Sequence, residues 1–357
     1  MTISLSSRRV HVVGLGLIGS SVALALQVAG WRVSGTDLDE AVVAHALEVS
    51  LIESTDVSDA DLVIVATPAR AVLDVVRATL KANAREQLIV TDVAGVKGTI
   101  VAGVSDPRFL GGHPMAGSEL RGLAGARADL FEGCTWVLTP TAATSPSTYG
   151  ILHGVLREIG ANVVAVGAFD HDRLVAVASH VPHLLAGTLM NEAADVAEQD
   201  AVLLQLAAGG FRDMTRIAAG DPSIWPDVLF ENRQAVTAAL DALQRRLQGL
   251  RDALENQDRT ALSNSLTRAA DARRRLPGRA LDSARLAYLR VRVSDEPGVL
   301  AAVTVAASEL LVNIYDIEIA HGIEGTSGTL LLAVDADHSE RFVCELGARG
   351  FSAVRER

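Results

Sequence analysis

The sequence predicts an α/β protein in three parts: a doubly wound parallel sheet, a central all-helical domain and a small C-terminal βαββαβ module. Three observations carry this. Up to about residue 168, short β-branched runs alternate with helical patterns, the rhythm of βαβ units. From Phe169 to about Ala284 the pattern is helical only, with Ala- and Leu-rich stretches such as "DRLVAVASHVPHLLAGTLMNEAADVAE". After Pro277 and Gly278, which mark a boundary, the chain reads strand, helix, strand, strand, helix, strand. The expected domains are therefore 1–168, 169–284 and 285–357. A chain of 357 residues is long for a single core, which agrees with such a division.

In the first part, "RRVHVVGLG", "RVSGTD", "ADLVIVATP" and "EQLIVTDV" are expected strands, and "IGSSVALALQVAG" is a helix closed by Gly30. Between the first strand and that helix lies "GLGLIGSS", with Gly14, Gly16 and Gly19 in G-x-G-x-x-G spacing. The first glycine permits a tight turn, the second lets a pyrophosphate approach the backbone, and the third allows close helix packing. Leu15, Leu17 and Ile18 complete this loop, whose free N–H groups at the helix start would receive phosphates. Asp37 ends the next strand, where an acceptor for a ribose hydroxyl belongs. A carboxylate there repels a 2'-phosphate, and no arginine follows in "DLDE", so NAD is expected rather than NADP. The first part is thus a Rossmann-type dinucleotide domain. With a helical domain behind it, the active site should lie at the carboxyl ends of the strands, near Thr67, Pro68 and Asp92.

Composition excludes other classes. Acidic residues outnumber basic ones 43 to 32, a net charge of -11, which disfavours a sequence-independent hold on nucleic acid or anionic lipid. Cys134 and Cys344 are too far apart to suggest a disulfide framework. No signal peptide and no stretch of eighteen uninterrupted apolar residues is read, so a cytoplasmic protein that binds no membrane is expected. His180 and His183 in "SHVPH" have a spacing that can put two imidazoles on one helix face, but no carboxylate or cysteine of suitable spacing joins them, and no metal is expected.

In order along the chain, "GLGLIGSS", "TDVAGVKG", "GGHPMAGSE", "SHVPHLLA" and "GGFRDMTRIAAGDPSIWPDVLFEN" resemble the prephenate and arogenate dehydrogenase family over roughly the first 280 residues. The C-terminal segment resembles an ACT domain. The resemblance implies NAD-dependent oxidative decarboxylation of a cyclohexadienol, with prephenate the expected substrate and arogenate the alternative. It also implies site residues. His113, expected in a loop of glycine and proline, matches the catalytic histidine that draws away the hydroxyl proton. Arg216 matches the arginine that clamps a substrate carboxylate, and His183 matches an active-site position. Arg212 and Trp225 match positions that approach the site from a partner subunit, although Arg212 and Asp213 read equally well as a surface pair. Glu119 and Asp213 are candidates for an ionic gate. His171 in "FDHDR" is either a further site residue or an exposed polar residue.

The chain departs from the family at Gly95, where a serine is usual. Ser118 or a water is the candidate replacement for the lost hydroxyl. In the terminal module, Asp295 and Gly298 sit at a strand-to-helix turn suited to an amino-acid carboxylate, with Asn313 opposite it at the start of the next strand. An aromatic amino-acid effector is expected there, with pure dimerisation as the competing role. The helical domain carries more apolar stripe than one chain covers, which predicts a homodimer. Two other readings compete. A 3-hydroxy-acid dehydrogenase would want a lysine that "DRLVAVASHVPHLL" lacks, and a non-catalytic amino-acid sensor has Gly95 as its support.

Overall fold

The computed structural model describes residues 8–117, 120, 122–200, 202–275, 286–294, 296–321 and 327–355. Ser118, Glu119 and Asp295, all expected site residues, lie outside the described residues. Two units, 1–246 and 247–357, are each described by themselves.

The first unit is built on a seven-stranded sheet: β1 (Arg9–Val13), β2 (Arg32–Thr36), β3 (Leu62–Val65), β4 (Ile89–Asp92), β5 (Phe109–Pro114), β6 (Thr135–Thr139) and β7 (Asn162–Ala165), in spatial order β2-β1-β3-β4-β5-β6-β7. The first five strands pair in parallel. β6 then pairs antiparallel with β5, and β7 parallel with β6. These last two strands are additions to the expected parallel sheet.

Helices cover both faces, as a sheet with fully buried central strands requires. All four residues of β3 and of β4 are buried. On one face α1 (Leu17–Val28), α2 (Glu40–Glu48) and α5 (Pro146–Glu158) supply Val22, Leu26, Ala46, Leu152 and Leu156 to the core. On the other, α3 (Ala69–Ala82) and α4 (Gly98–Ala102) supply Val72, Val76, Leu80 and Ile100.

The order reverses between β1 and β3, which run to the carboxyl edge side by side. Such a switch point opens a crevice for ligands. Gly14 and Ala66 line it.

His113 lies in β5, not in a loop, with Val137 of β6 as its cross-strand partner. The Gly-Pro content that argues against a strand has a packing cause. A Cβ at Gly111 would come 2.5 Å from Thr139 Oγ1, and one at Gly112 would come 2.8 Å from the Asp92 carbonyl oxygen. Both glycines let β5 sit tight between β4 and β6. Pro114 is tolerated because β4 pairs with β5 only at Phe109 and Leu110.

After β7 the chain is helical: α6 (Ala168–Val175), a π-helical turn (Ala176–His180), α7 (Val181–Ala197), α8 (Val202–Leu206), α9 (Gly209–Thr215), a 3₁₀ turn (Arg216–Ala219), α10 (Trp225–Glu231), α11 (Arg233–Glu255) and α12 (Arg259–Arg274). Part of this array is pinned to the sheet domain by polar contacts. The Lys97 and Gly98 N–H groups donate to Asp172, and Thr99 donates to Glu231 at 3.2 Å.

In the second unit, β8 (Leu286–Ser294), α13 (Val299–Glu309), β9 (Ile314–His321), β10 (Ser327–Asp335), α14 (Ser339–Ala348) and β11 (Ser352–Arg355) form the expected βαββαβ module. Its sheet is antiparallel, in order β11-β8-β10-β9. β8 alternates buried Ala287, Leu289 and Val291 with exposed neighbours, since one face packs on α13 and α14 through Val303, Ala306, Phe342 and Leu346. Gly298, at φ +95°, turns the chain into α13, and Asn313 is exposed just before β9.

Candidate active site

The glycine loop meets the steric demands of a dinucleotide site. Gly14 is at φ +96°, and a Cβ on it would strike the Ala66 carbonyl oxygen at 2.6 Å. A Cβ on Gly19 would lie 1.9 Å from the Gly14 carbonyl oxygen, so only glycine lets α1 approach the loop. Gly16 is exposed with nothing within 4 Å of its Cβ position. No side chain caps the start of α1, which leaves its first N–H groups, from Leu17 and Ile18 onward, for a ligand.

Asp37 stands beside this loop and accepts from the Leu15 N–H at 2.7 Å. Across the switch point, Thr67 Oγ1 is buried and has no hydrogen-bond partner among the described residues, while the exposed Pro68 immediately precedes α3. Asp92, a cofactor candidate in the sequence, is the last residue of β4. It is fully buried, its carboxylate pairs with the Lys97 ammonium, and it accepts from the Ala94 and Gly112 N–H groups. It therefore holds the loop after β4 against β5 from beneath.

His113 emerges from the end of β5, partly buried, and its Nδ1 lies 2.8 Å from Nε2 of His171. Nδ1 of His171 lies 2.8 Å from Oδ1 of Asp172. Asp172 in turn accepts from the Lys97 N–H on Oδ1 and the Gly98 N–H on Oδ2, both at 2.7 Å. Gly98 must be glycine for this, because a Cβ there would come 2.8 Å from Oδ2. His171 is buried and reaches His113, so it is not the exposed polar residue that "FDHDR" also allowed.

The other ring nitrogen of His113, Nε2, faces Gly95: a Cβ on Gly95 would lie 3.6 Å from it. The absent serine thus leaves space directly beside the imidazole.

The electrostatics keep His113 neutral. Burial holds its pKa well below the ordinary histidine value, and the neighbouring His171, Lys97 and His180 push the same way. Burial likewise pulls the Lys97 ammonium down, opposed by Asp92. For Asp172 burial pushes up, but the hydrogen bonds from His171 and from the Gly98 and Lys97 N–H groups outweigh it and leave the carboxyl below its usual value.

A second group of residues continues from the first. Asn232 Nδ2 donates to the Asp172 carbonyl oxygen at 2.9 Å and to His180 Nδ1 at 3.2 Å. The buried His180, with its pKa lowered to about 4 chiefly by desolvation, meets the edge of Trp225. His183 stacks on Trp225 with ring centroids 3.7 Å apart, and burial lowers its pKa as well. These two rings line a groove of about 570 Å³ together with Leu184, Asn191, Ala218 and Phe230.

Ala218 belongs to the 3₁₀ turn that begins at Arg216, whose side chain is exposed. Arg212 and Asp213 are both exposed on α9. The ring contacts of Trp225, with His183 and His180, are both within its own chain. Sequence reasoning did not single out Asp172, Lys97 or Asn232. The spacing "TDVAGVKG" held the Asp92–Lys97 pair in view, but nothing local signals that both ends are buried.

Comparison with known proteins gives consistent results. A family model described as the nucleotide-binding domain of prephenate dehydrogenase matches residues 22–165. One described as the dimerization domain of prephenate dehydrogenase matches residues 168–268. The chain is 32% identical over 342 residues to a prephenate dehydrogenase of Bacillus subtilis (strain 168), covering 92% of each chain. It is 32% identical over 264 residues to a cyclohexadienyl dehydrogenase of Zymomonas mobilis, covering 70% of this chain and 90% of that one. Among solved structures, prephenate dehydrogenase from Aquifex aeolicus in complex with hydroxyphenyl propionate and NAD+ is 29% identical, with TM-score 0.70 over 76% of this chain and 99% of that one. Synechocystis arogenate dehydrogenase is 31% identical, with TM-score 0.65 over 74% and 99%.

Proposed function

Because the chain belongs to the prephenate dehydrogenase family, we propose that it catalyses the NAD-dependent oxidative decarboxylation of prephenate to 4-hydroxyphenylpyruvate. The observation that carries the reading is His113: a neutral imidazole at the carboxyl edge of the sheet, with one nitrogen hydrogen-bonded and the other facing open space at Gly95.

NAD, when bound, supplies the acceptor for a hydride from the substrate ring carbon that bears the hydroxyl. The glycine loop and the uncapped start of α1 would hold its pyrophosphate, Asp37 would take a ribose hydroxyl, and Thr67 Oγ1, buried without a partner among the described residues, would be free to bond to it. His113 draws off the hydroxyl proton as the hydride departs. The ring carboxylate leaves as carbon dioxide, its bonding electrons complete the aromatic ring, and the proton returns to the ring oxygen. Arg216 offers a planar fork to a substrate carboxylate beside the groove walled by His183 and Trp225.

The homodimer supports this assignment of parts. The helical run Ala168–Ala197 is long and apolar enough to cross a membrane by length and composition, yet its polar residues His171, Asp172 and His180 are bound into the site. Only 28% of its most apolar 18-residue window is buried within the chain, so a second copy is the natural cover. In the terminal module, the turn at Gly298 and the exposed Asn313 mark the place for an amino-acid effector.

The test is a steady-state assay of NADH formation with prephenate and with arogenate. The proposal expects a higher kcat/KM with prephenate. A preference for arogenate would move the substrate assignment, and no NADH from either would remove the enzyme reading altogether.

A further inference from the structure

We propose that Asp172 acts through His171 as a positioning residue that keeps Nε2 of His113 free of a proton and able to accept one from the substrate. The inference rests on the dehydrogenase reading above and adds residues to it.

The hydrogen bonds that run from the loop after β4 to His113 have a fixed direction. Asp172 receives two backbone N–H groups, from Lys97 and Gly98, and these donors cannot reverse. An ionised carboxylate only accepts, so the Nδ1 of His171, 2.8 Å from Oδ1, must carry its hydrogen. A neutral imidazole has one N–H, which leaves a lone pair on Nε2 of His171. That lone pair meets Nδ1 of His113 at 2.8 Å, so the hydrogen of His113 resides on Nδ1. Its Nε2 is then the bare nitrogen, and this is the atom that faces the space at Gly95.

One carboxylate, held by backbone donors from the loop after β4, thereby sets the tautomer of an imidazole two links away. The same chain serves the reaction. As the substrate hydroxyl passes its proton to Nε2, the positive charge on His113 is shared through Nδ1–H to His171 and opposed by the Asp172 carboxylate. With NAD as the hydride acceptor, His113 would return the proton when the ring becomes aromatic, so that no proton is gained or lost overall. Among the described residues, the charged and titratable groups around His113 are His171, Asp172 and His180 from the helical run and the Lys97–Asp92 pair at the loop after β4. An acid that fixes a catalytic histidine's tautomer through a hydrogen bond is known from serine proteases, where amidation of that acid costs roughly 10,000-fold in kcat.

The experiment measures kinetics and histidine ¹⁵N NMR on the full-length wild type, Asp172→Asn and His171→Gln, with His113→Asn used to assign the His113 signals. In Asp172→Asn the new amide can donate to His171, which reverses the chain. We expect kcat to fall about 100- to 10,000-fold with KM for substrate and NAD within about threefold. The unprotonated signal of His113 should move from Nε2 in the wild type to Nδ1 in the variant. His171→Gln keeps an acceptor for His113 and should fold, yet lose about tenfold or more in kcat because an amide cannot share the charge.

A wild-type spectrum with hydrogen on Nε2 of His113 overturns the proposal. So does full kcat in the folded variants, or a loss of kcat without the change of tautomer. Should Asp172→Asn fail to fold, the wild-type spectrum and His171→Gln decide alone. Full turnover by His113→Asn would instead strike at the dehydrogenase reading itself, which separates the two failures.

Discussion

At the residue scale, the site turns on what surrounds one imidazole. Burial keeps His113 neutral at neutral pH, and a base must be unprotonated to act. Activity should therefore fall only as pH drops through its depressed pKa, and the acid limb of a kcat/KM profile should have its midpoint below 6.5. A midpoint at or above that value would mean that His113 is not the titrating base. Gly95 offers a second test. The Cβ position 3.6 Å from Nε2 is at ordinary contact distance, so Gly95→Ser should fold normally and place a hydroxyl beside the imidazole. One added hydrogen bond of about 1 kcal/mol predicts a rise of about fivefold in kcat. A clear fall would show that the open space itself is used.

At the element scale, the strand ends and the loop after β4 do the positioning, and their stability rests on a buried ion pair. Lys97 and Asp92 have no exposed surface, and Asp92 also receives N–H groups from Ala94 and Gly112. Lys97→Met would leave that carboxylate buried without its counter-charge, so urea denaturation should show a loss of about 3–5 kcal/mol. A loss below about 1 kcal/mol would mean the loop relaxes to admit water. This is also where the sequence stops being readable. The glycine loop, Asp37 and the helical run were legible because each is local: spacing and periodicity are contained in neighbouring residues. The contact between His113 and His171 joins residues 58 apart, and nothing local in the sequence signals the burial of Asp92 and Lys97. β6 and β7 escaped notice since their short runs lie among Gly, Thr and Pro. The sequence reads a short strand at "RFLGG", but its continuation through His113 and Pro114 was hidden by the glycines and proline around it.

At the scale of the whole molecule, the helical part carries apolar side chains that its own unit leaves uncovered. Phe169 is 76% exposed and Phe230 69%. A homodimer is expected in sedimentation at micromolar concentration, and a monomer there would remove the cover assigned to the helical run. The account as a whole is most directly tested by measuring NADH and carbon dioxide together, with prephenate and NAD, for the wild type and for His113→Asn. It predicts one carbon dioxide per NADH in the wild type. In the variant, both products should slow together by about 100- to 10,000-fold with NAD affinity little changed. Near-normal production of both by His113→Asn would contradict it.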